Sequence, residues 1–289
     1  MAVVRNQMYQ AGLVLEGGGM KGMYTCGVLE FFMDKGILFE SCYGVSAGAC
    51  HMCSYLSGQK KRAFHVAVDY LGCRDYCSLR SLLLTGDLFS ADFCYKLIPE
   101  WLNPYDYEAF DRYQGRAYAV VTNIVSGRPE YLRLLDMKRD ITAVRASSSL
   151  PLVSRNVKIG KKLYLDGAIS DPIPIRKSVL DGNQKNVVIL TKEVGYRKER
   201  SKALGLIRLA YLRYPSVYEL MKNRHISYHQ TLGYLEEQER KGRAFVIRPK
   251  TASGIGRIEK DRDKLTALYR QGYQEAEENY EALLAYLQA

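Results

Sequence analysis

The chain has 289 residues, of which 47% are hydrophobic and 25% are charged, and its formal net charge at pH 7 is +11. This composition excludes an intrinsically disordered chain, and the length is sufficient to bury a core without disulfides or metal ions. The surplus of positive charge favours an anionic partner.

Neither secretion nor a membrane span is expected. The first residues contain no long apolar segment, and no window reaches the roughly 18 apolar residues that a span requires. The seven cysteines are odd in number and lie in the first third of the chain, which favours reduced thiols in the cytoplasm. Cys50 with Cys53 and Cys73 with Cys77 have the spacing of half a zinc site, but histidines at ligand spacing do not accompany them. We therefore predict buried free thiols and no metal.

The chain opens with two strand-helix pairs. Residues 11–16 form a short apolar run that ends in glycines, and the apolar residues that follow recur at helical spacing until Gly36. Residues 41–45 form a second short run, which leads into an apolar helix that ends at a glycine. This β-α-β-α order predicts a mostly parallel sheet with right-handed crossovers.

Five further strands are predicted later in the chain, with mainly helical segments between them. They cover residues 116–123, 131–135, 162–165, 186–191 and 244–248. From about residue 196 the composition shifts to Arg, Tyr, Leu and Glu at helical spacing, and residues 277–288 predict a closing helix. The sequence therefore indicates an α/β protein whose organisation changes near residue 195.

The pentapeptide from Gly44 to Gly48 fits the pattern G-x-S-x-G between a predicted strand and a predicted helix. This is the context of a nucleophile elbow, in which a serine stands on a strained turn with its hydroxyl exposed. The absence of side chains at Gly44 and Gly48 allows neighbouring backbone segments to approach the turn. Ser46 is therefore predicted to be a catalytic nucleophile.

A glycine-rich run precedes this motif at the first strand-to-helix junction. It consists of Gly17, Gly18, Gly19 and Gly22. Successive backbone N–H groups at such a junction, together with the positive end of the following helix, can stabilise an oxyanion. The alternative interpretation is a glycine-rich connection that binds no ligand.

The same glycines fit the dinucleotide pattern G-x-G-x-x-G, and this alternative needs an acidic residue at the end of the second strand to hold a ribose hydroxyl. Here that strand ends in the G-x-S-x-G motif, Glu40 precedes the strand, and Asp34 lies in the preceding helix. A P-loop is excluded because Lys21 is followed by Gly22 rather than by Ser or Thr. We therefore expect no nucleotide cofactor.

A serine nucleophile needs a proton acceptor within hydrogen-bonding reach. Asp166 lies where an apolar strand meets a glycine, so its carboxylate can face a cleft; the alternative is an Asp-Gly hairpin turn. Of the four histidines, His225 and His229 follow Asp166 in the Ser, Asp, His order of α/β-hydrolases, but they lie in a predicted charged helix. His51 follows Ser46 by five residues on one predicted helix and is expected to point away from the elbow.

The glycine run GGGMKG, the motif GVSAG, and the Asp-Gly-Ala beginning at Asp166, followed by a proline-bearing loop, together resemble the patatin-like phospholipase family in order and approximate spacing. The resemblance covers roughly residues 11–192 and is nearest to bacterial members. It implies a three-layer α/β/α fold with a mostly parallel sheet, here followed by a helical C-terminal extension. Residues 145–151 resemble the family's Ala-Ser-rich segment, to which we assign no catalytic part.

The resemblance also implies a Ser-Asp dyad in place of a catalytic triad. In this sequence Ser46 matches the nucleophile and Asp166 the base, and the oxyanion hole matches Gly17, Gly18, Gly19 and Gly22. We therefore expect a catalytic domain over residues 8–195 and a mainly helical C-terminal region over residues 196–289. The implied substrates are phospholipids or other acyl esters, and the implied mechanism needs no metal or cofactor.

Two other functions stay open: a non-catalytic basic α/β protein that binds an anionic membrane surface, and a Ser-His-Asp triad esterase. Residues 198–224 combine crowded apolar side chains with Lys and Arg, which predicts reversible attachment to anionic lipid at the inner face of the membrane. The alternative for this segment is a core-packing helix with a solvated basic face. A nucleic acid partner is not expected.

Overall fold

A sheet of eight strands organises the part of the chain that the computed structural model describes, residues 6–251 and 254–289. The strands are β1 (Gln7–Leu15), β2 (Ile37–Val45), β3 (Arg116–Asn123), β4 (Pro129–Leu134), β5 (Val157–Ile159), β6 (Lys162–Asp166), β7 (Asn186–Ile189) and β8 (Ala244–Ile247). Hydrogen bonds order them β5-β6-β3-β2-β1-β7-β8, and β4 also pairs with β3. The pairs among β3, β2, β1, β7 and β8 are parallel, whereas the pairs that involve β4, β5 and β6 are antiparallel.

Eleven α-helices lie among the described residues. They are α1 (Met23–Lys35), α2 (Ala47–Leu56), α3 (Arg62–Val68), α4 (Leu79–Thr85), α5 (Tyr107–Asp111), α6 (Met137–Ser147), α7 (Ile175–Leu180), α8 (Leu204–Ala210), α9 (Pro215–Arg240), α10 (Arg262–Glu278) and α11 (Tyr280–Gln288). The 3₁₀ turns Gly19–Gly22 and Gly167–Ile169 and a π-helical segment, Phe93–Leu102, complete the helical structure.

Helices cover both faces of the sheet, which confirms the predicted α/β class with a mostly parallel central sheet. Side chains alternate along β1, so Leu13 and Leu15 pack into the cluster that includes α1, α2 and α10. Val14 points to the opposite face and packs with Val188 against α7 and α9. Each central strand is therefore buried on both faces, as parallel strands usually are.

Several predicted boundaries differ from the structure. The first two strands begin at Gln7 and Ile37, earlier than predicted, because their first halves alternate between buried and less buried residues instead of forming apolar runs. The short strand β5 was not predicted. The closing helix predicted over residues 277–288 is wrong at its start, because α10 continues to Glu278 and α11 begins only after Asn279.

The carboxyl ends of β2 and β6 meet on one edge of β3. The parallel pairing of β2 ends with Val45 opposite Val120, and the antiparallel pairing of β6 places Asp166 opposite Val121. Strand β4 pairs with one edge of β3, so β2 and β6 both lie on the other edge. Along that edge they run toward each other. Ser46, which follows β2 directly, is thereby brought to the last residue of β6.

The C-terminal region is part of the same packed structure. Strand β8 extends the sheet beside β7, and α10 crosses α1 in close contact. A Cβ added to Gly27 of α1 would lie 2.0 Å from the Tyr269 carbonyl oxygen, and one added to Gly272 of α10 would lie 2.1 Å from the Tyr24 carbonyl oxygen, so this crossing requires glycine at both positions. The domain boundary near residue 195 stays a prediction. None of the described helices has the length and apolar character needed to cross a bilayer.

Candidate active site

Ser46 stands on a strained turn between β2 and α2. Its backbone angles are φ 55° and ψ −124°. Residues other than glycine rarely adopt a positive φ, and such strain costs on the order of 1–3 kcal/mol. A Cβ added to Gly44 would lie 2.6 Å from the Ala49 Cα, and one added to Gly48 would lie 2.7 Å from the Leu15 carbonyl oxygen, so both positions require glycine. This local structure is that of a nucleophile elbow.

The hydroxyl of Ser46 faces the carboxylate of Asp166. Its Oγ donates a hydrogen bond of 2.7 Å to Oδ2 of Asp166. Both residues are buried, with 8% of Ser46 and none of Asp166 exposed. The carboxylate is therefore positioned to accept the hydroxyl proton.

Three further hydrogen bonds, with backbone and hydroxyl groups, fix the position of Asp166. The Ala168 N–H donates to its Oδ1 at 2.7 Å, and the Thr122 hydroxyl donates to its carbonyl oxygen at 2.8 Å. Its own N–H donates to the Ser149 carbonyl oxygen at 2.7 Å. The side chain is thus oriented before any substrate arrives.

Burial raises the pKa of Asp166 above its ordinary value. The hydrogen bonds from Ser46 and Ala168 and the positive charges of Arg224 and Arg257 act in the opposite direction without cancelling the effect. Arg224 is itself buried, and its Nε donates to the Ala168 carbonyl oxygen at 2.7 Å. The raised pKa makes Asp166 a stronger base than a solvated aspartate.

The Ala-Ser-rich segment at the end of α6, which received no role from the sequence, holds both members of this pair. The hydroxyl of Ser147 accepts a hydrogen bond from the Ser46 N–H at 2.9 Å and donates one to the Val120 carbonyl oxygen at 2.6 Å. Two residues later, the Ser149 carbonyl oxygen accepts the N–H of Asp166. The similarity of this segment to its counterpart in the family was the signal that could have identified these positioning residues.

The glycine run packs against the elbow. A Cβ added to Gly17 would lie 2.9 Å from the Cβ of Ser46, and one added to Gly22 would lie 2.8 Å from the Cβ of Ala47. Any side chain at Gly17 would therefore displace Ser46. The close approach places the backbone of the run directly beside the Ser46 side chain.

Later parts of the chain hold the middle of the run. A Cβ added to Gly18 would lie 2.7 Å from the Thr191 hydroxyl oxygen, and one added to Gly19 would lie 2.6 Å from the Arg257 carbonyl oxygen. The same carbonyl of Arg257 accepts the Met20 N–H at 3.1 Å. The run is thus fixed between the elbow, the end of β7 and the segment before α10.

A buried ion pair fixes the residue before the run. Glu16 is 1% exposed and pairs with the ammonium group of Lys192. Its carboxylate also accepts the Thr191 N–H at 2.7 Å and the Tyr228 hydroxyl at 2.8 Å. Burial alone would raise the pKa of Glu16, but the charge and hydrogen bond of Lys192 hold it below its ordinary value. Sequence reasoning missed this pair because the partners are 176 residues apart and no local pattern joins them.

The histidines lie outside this arrangement. His225 and His229 are on α9, as predicted for a charged helix, and His51 is buried in α2, where burial lowers its pKa to about 4. Among residues 6–251 and 254–289, no hydrogen bond joins a histidine to Ser46 or Asp166. The described geometry is therefore a serine-carboxylate pair and not a triad.

The seven cysteines are free thiols. Cys53 donates to the Ala49 carbonyl oxygen at 3.2 Å, and the Cys50 sulfur lies 3.3 Å from the Ser148 hydroxyl oxygen. Within the described parts of the chain, no group of three or more His, Cys, Asp or Glu side chains could hold a metal ion.

The fold and the site define an α/β protein in which a serine on a nucleophile elbow faces a buried aspartate. The chain belongs to the patatin-like phospholipase family, whose model matches residues 13–178 and includes the glycine run, the elbow and Asp166. The resemblance seen in the sequence is thereby confirmed. Residues 214–288 match a second model, which describes a domain of unknown function, DUF6363.

Two individual proteins resemble the chain over most of its length. The uncharacterized protein YjjU of Escherichia coli K12 is 28% identical over 249 residues, which cover 82% of this chain and 68% of that protein. The crystal structure of VipD from Legionella pneumophila covers 98% of this chain and 71% of its own, with 12% identity and a TM-score of 0.46.

Proposed function

We propose that this protein hydrolyses acyl esters of phospholipids or lysophospholipids, with Ser46 as nucleophile and Asp166 as base. The observation that carries the proposal is the 2.7 Å hydrogen bond from Ser46 Oγ to Asp166 Oδ2 at a strained elbow. Membership of the patatin-like phospholipase family supports lipid esters as the substrate class.

In the proposed mechanism, Ser46 Oγ attacks the ester carbonyl carbon while its proton passes to Asp166. The tetrahedral intermediate expels the alcohol, which takes the proton from Asp166, and the acyl group stays on Ser46. Water then attacks the acyl-enzyme, with Asp166 again accepting a proton. The fatty acid leaves when that proton returns to Ser46 Oγ.

The proposed oxyanion hole is the backbone of Gly17, Gly18, Gly19 and Gly22. The contact between Gly17 and the Ser46 side chain supports this proposal, because donors must lie about 3 Å from the oxygen that becomes negative. The helical turns that start at Gly19 and at Met23 add the positive end of a helix dipole near this position.

The proposal is tested by assaying p-nitrophenyl esters of several chain lengths and a set of phospholipids and lysophospholipids. Wild-type protein should hydrolyse at least one class, and Ser46→Ala should abolish that activity. The matched control is Ser126→Ala, which removes an exposed hydroxyl from the turn between β3 and β4 and should leave the rate unchanged. No hydrolysis of any ester by folded wild-type protein would refute the proposed function.

The rate is also expected to fall as the pH is lowered below neutrality. The base must be ionised to act, and burial raises the pKa of Asp166, so activity should be lost at a higher pH than the ordinary aspartate pKa of about 3.9 would give. The check is the pH dependence of kcat/KM for a soluble neutral ester. If kcat/KM stays constant down to about pH 4 while the protein remains folded, Asp166 is not the group whose ionisation controls the activity.

The proposed membrane contact is helix α8 with the residues around it. Ile207 is 2% exposed and anchors the helix in the core. Exposed leucines lie on the outer side, namely Leu206, Leu209 and Leu212. The exposed cations Arg208 and Arg213 flank them, which is the combination that binds an anionic membrane surface.

Vesicles of anionic lipid are expected to co-sediment the protein at low salt and to release it at high salt. The Debye length falls from about 10 Å at 0.1 M to about 3 Å at 1 M, so electrostatic attachment must weaken. Leu206→Gln combined with Leu209→Gln should reduce binding, whereas Leu180→Gln, on the exposed side of α7, should not. Equal binding to neutral and anionic vesicles would contradict electrostatic attachment, and no binding to either would leave α8 with a packing role alone.

A further inference from the structure

A cavity of about 380 Å³ opens between the segment that follows β7 and helix α9. This volume lies within the range of about 300–1,000 Å³ that is usual for small-molecule sites. Four basic side chains line it, namely Arg197, Lys198, Arg224 and Arg257. The only carboxylate in the described lining is that of Glu199.

Hydrogen bonds link the walls of the cavity to the segments beside Ser46 and Asp166, which do not themselves line it. On one side, the Arg224 Nε donates to the Ala168 carbonyl oxygen at 2.7 Å, and the N–H of Ala168 holds Asp166. On the other side, the Arg257 carbonyl oxygen accepts an N–H from the glycine run at 3.1 Å. One wall of the cavity is thus bonded to the turn after Asp166 and the other to the proposed oxyanion run.

The basic side chains of this wall form no salt bridges within the described parts of the chain. Lys192 nearby is paired with Glu16, but none of the four basic side chains in the lining forms an ion pair with a carboxylate in residues 6–251 and 254–289. Arg224 is only 8% exposed, and burial together with repulsion from Arg257 disfavours its charged form more than the nearby carboxylates of Asp166 and Glu16 favour it, so its pKa is lowered to about 10. An anion in the cavity would relieve this cost.

We propose that this cavity binds the phosphate of the substrate head group, so that the C-terminal region supplies the part of the site that selects phospholipids over neutral esters. Arg257 and Arg224 provide forked donors that suit phosphate oxygens, and Lys198 provides a further charge. The proposal rests on the proposed ester hydrolysis at Ser46. It gives residues 214–288, which match a domain of unknown function, a direct part in substrate binding.

The state of Lys198 supports this assignment. Burial, together with repulsion from Arg224, Lys192 and Arg257, lowers the pKa of Lys198 to about 6. A bound phosphate would favour the charged form and raise that pKa, so binding should take up a proton. The charged and titratable groups around this side chain are Lys192, Arg224, Arg257, Glu16, Tyr228 and His229.

Binding is measured by calorimetry on the full chain carrying Ser46→Ala, which cannot turn over an ester. Glycerophosphate should bind and glycerol should not. Adding Arg257→Gln should weaken glycerophosphate binding by about tenfold or more, because a charged hydrogen bond of about 1.5–3 kcal/mol is lost. The matched control is Arg200→Gln, an exposed cation of the same segment outside the cavity lining, which should bind as tightly as the parent.

Several results of this titration would overturn the proposal: no glycerophosphate binding, equal affinity with Arg257→Gln, or binding of inorganic phosphate as tight as that of glycerophosphate. The last result would assign the cavity to a free phosphate. Repeating the titration in buffers of different ionisation enthalpy should show proton uptake, and Lys198→Met should abolish it. Uptake that persists in Lys198→Met would contradict the part assigned to Lys198.

Turnover provides the second arm, with a lysophospholipid and a monoacylglycerol that carry the same acyl chain. Arg257→Gln should lower the ratio of kcat/KM for the lysophospholipid to that for the monoacylglycerol by about tenfold, mainly through KM. An unchanged ratio would contradict the proposal. If the wild-type protein hydrolyses neither compound, the ester hydrolysis fails, and the titration of Ser46→Ala still decides whether the phosphate site exists.

Discussion

Asp166→Asn is expected to lower ester turnover by about 1,000-fold or more, the scale of loss seen when a serine hydrolase loses part of its catalytic unit. The amide has nearly the shape of the carboxylate but cannot accept the proton of Ser46. Its side-chain oxygen can still accept the Ala168 N–H, which in the wild-type protein donates to Asp166 Oδ1 at 2.7 Å. The measurement is kcat/KM for the best ester found in the substrate panel, together with thermal unfolding.

The fold is expected to survive this change. Because burial raises the pKa of Asp166, the folded protein binds this proton more tightly than the unfolded chain does. The ionised carboxylate therefore opposes folding above its folded pKa, and this cost disappears as the pH falls through that value. A neutral amide at position 166 should thus leave the free energy of unfolding near neutral pH unchanged or higher.

The matched control is Asp171→Asn. Asp171 is a second largely buried carboxyl on the same loop, it accepts the Tyr131 hydroxyl at 2.7 Å, and burial raises its pKa too. Its loss should leave turnover near the wild-type rate. If Asp166→Asn keeps more than roughly a tenth of the wild-type turnover, a difference of about 1.4 kcal/mol in the barrier, Asp166 is not the base.

Glu16→Gln is expected to lower the free energy of unfolding by about 3–5 kcal/mol, since it leaves the Lys192 ammonium group in the interior without a counter-charge. In the wild-type protein Glu16 is 1% exposed and also accepts hydrogen bonds from Thr191 and Tyr228. The glutamine keeps the shape and some of the hydrogen bonds, so the difference reports mainly on the charge. Denaturant unfolding of both proteins near neutral pH measures it.

An exposed ion pair provides the comparison for Glu16. Glu40 pairs with Arg116 at 3.2 Å, and both side chains are more than one third exposed. Glu40→Gln should therefore change the free energy of unfolding by less than about 1 kcal/mol. Equal and small effects of the two substitutions would mean that the Glu16 pair contributes no more than a surface pair.

The central part of the fold and the candidate site could be predicted from the sequence because the signals are local. The last residues of β1 form an apolar run that leads to the glycines from Gly17 onward, β2 ends within the G-x-S-x-G motif, and this motif has a fixed spacing around Ser46. The strand over residues 116–123 was predicted with its observed limits. Asp166 was singled out at the end of a strand, and the structure places its carboxylate against Ser46.

The features that could not be predicted depend on contacts between distant parts of the chain. The head-on meeting of β2 and β6 follows from their registers on β3, which no periodicity reveals. Glu16 and Lys192 carry no shared motif. Ser147 lies in a segment that resembles its counterpart in the family, but the hydrogen bonds of its hydroxyl to the backbone of Ser46 and Val120 join distant parts of the chain. Lys198, Arg224 and Arg257 line one basic cavity. In the sequence they are separate basic residues, and no pattern predicts that they lie together.

The most direct test of the account is labelling of the folded protein with a fluorophosphonate probe, followed by mass spectrometry to locate the adduct. A serine that attacks a carbonyl also attacks the phosphorus of this probe, so we expect one adduct on Ser46, none on Ser46→Ala, and strongly slowed labelling of Asp166→Asn. An unchanged mass of the folded wild-type protein, or an adduct on another residue, would contradict the assignment of Ser46 as the nucleophile.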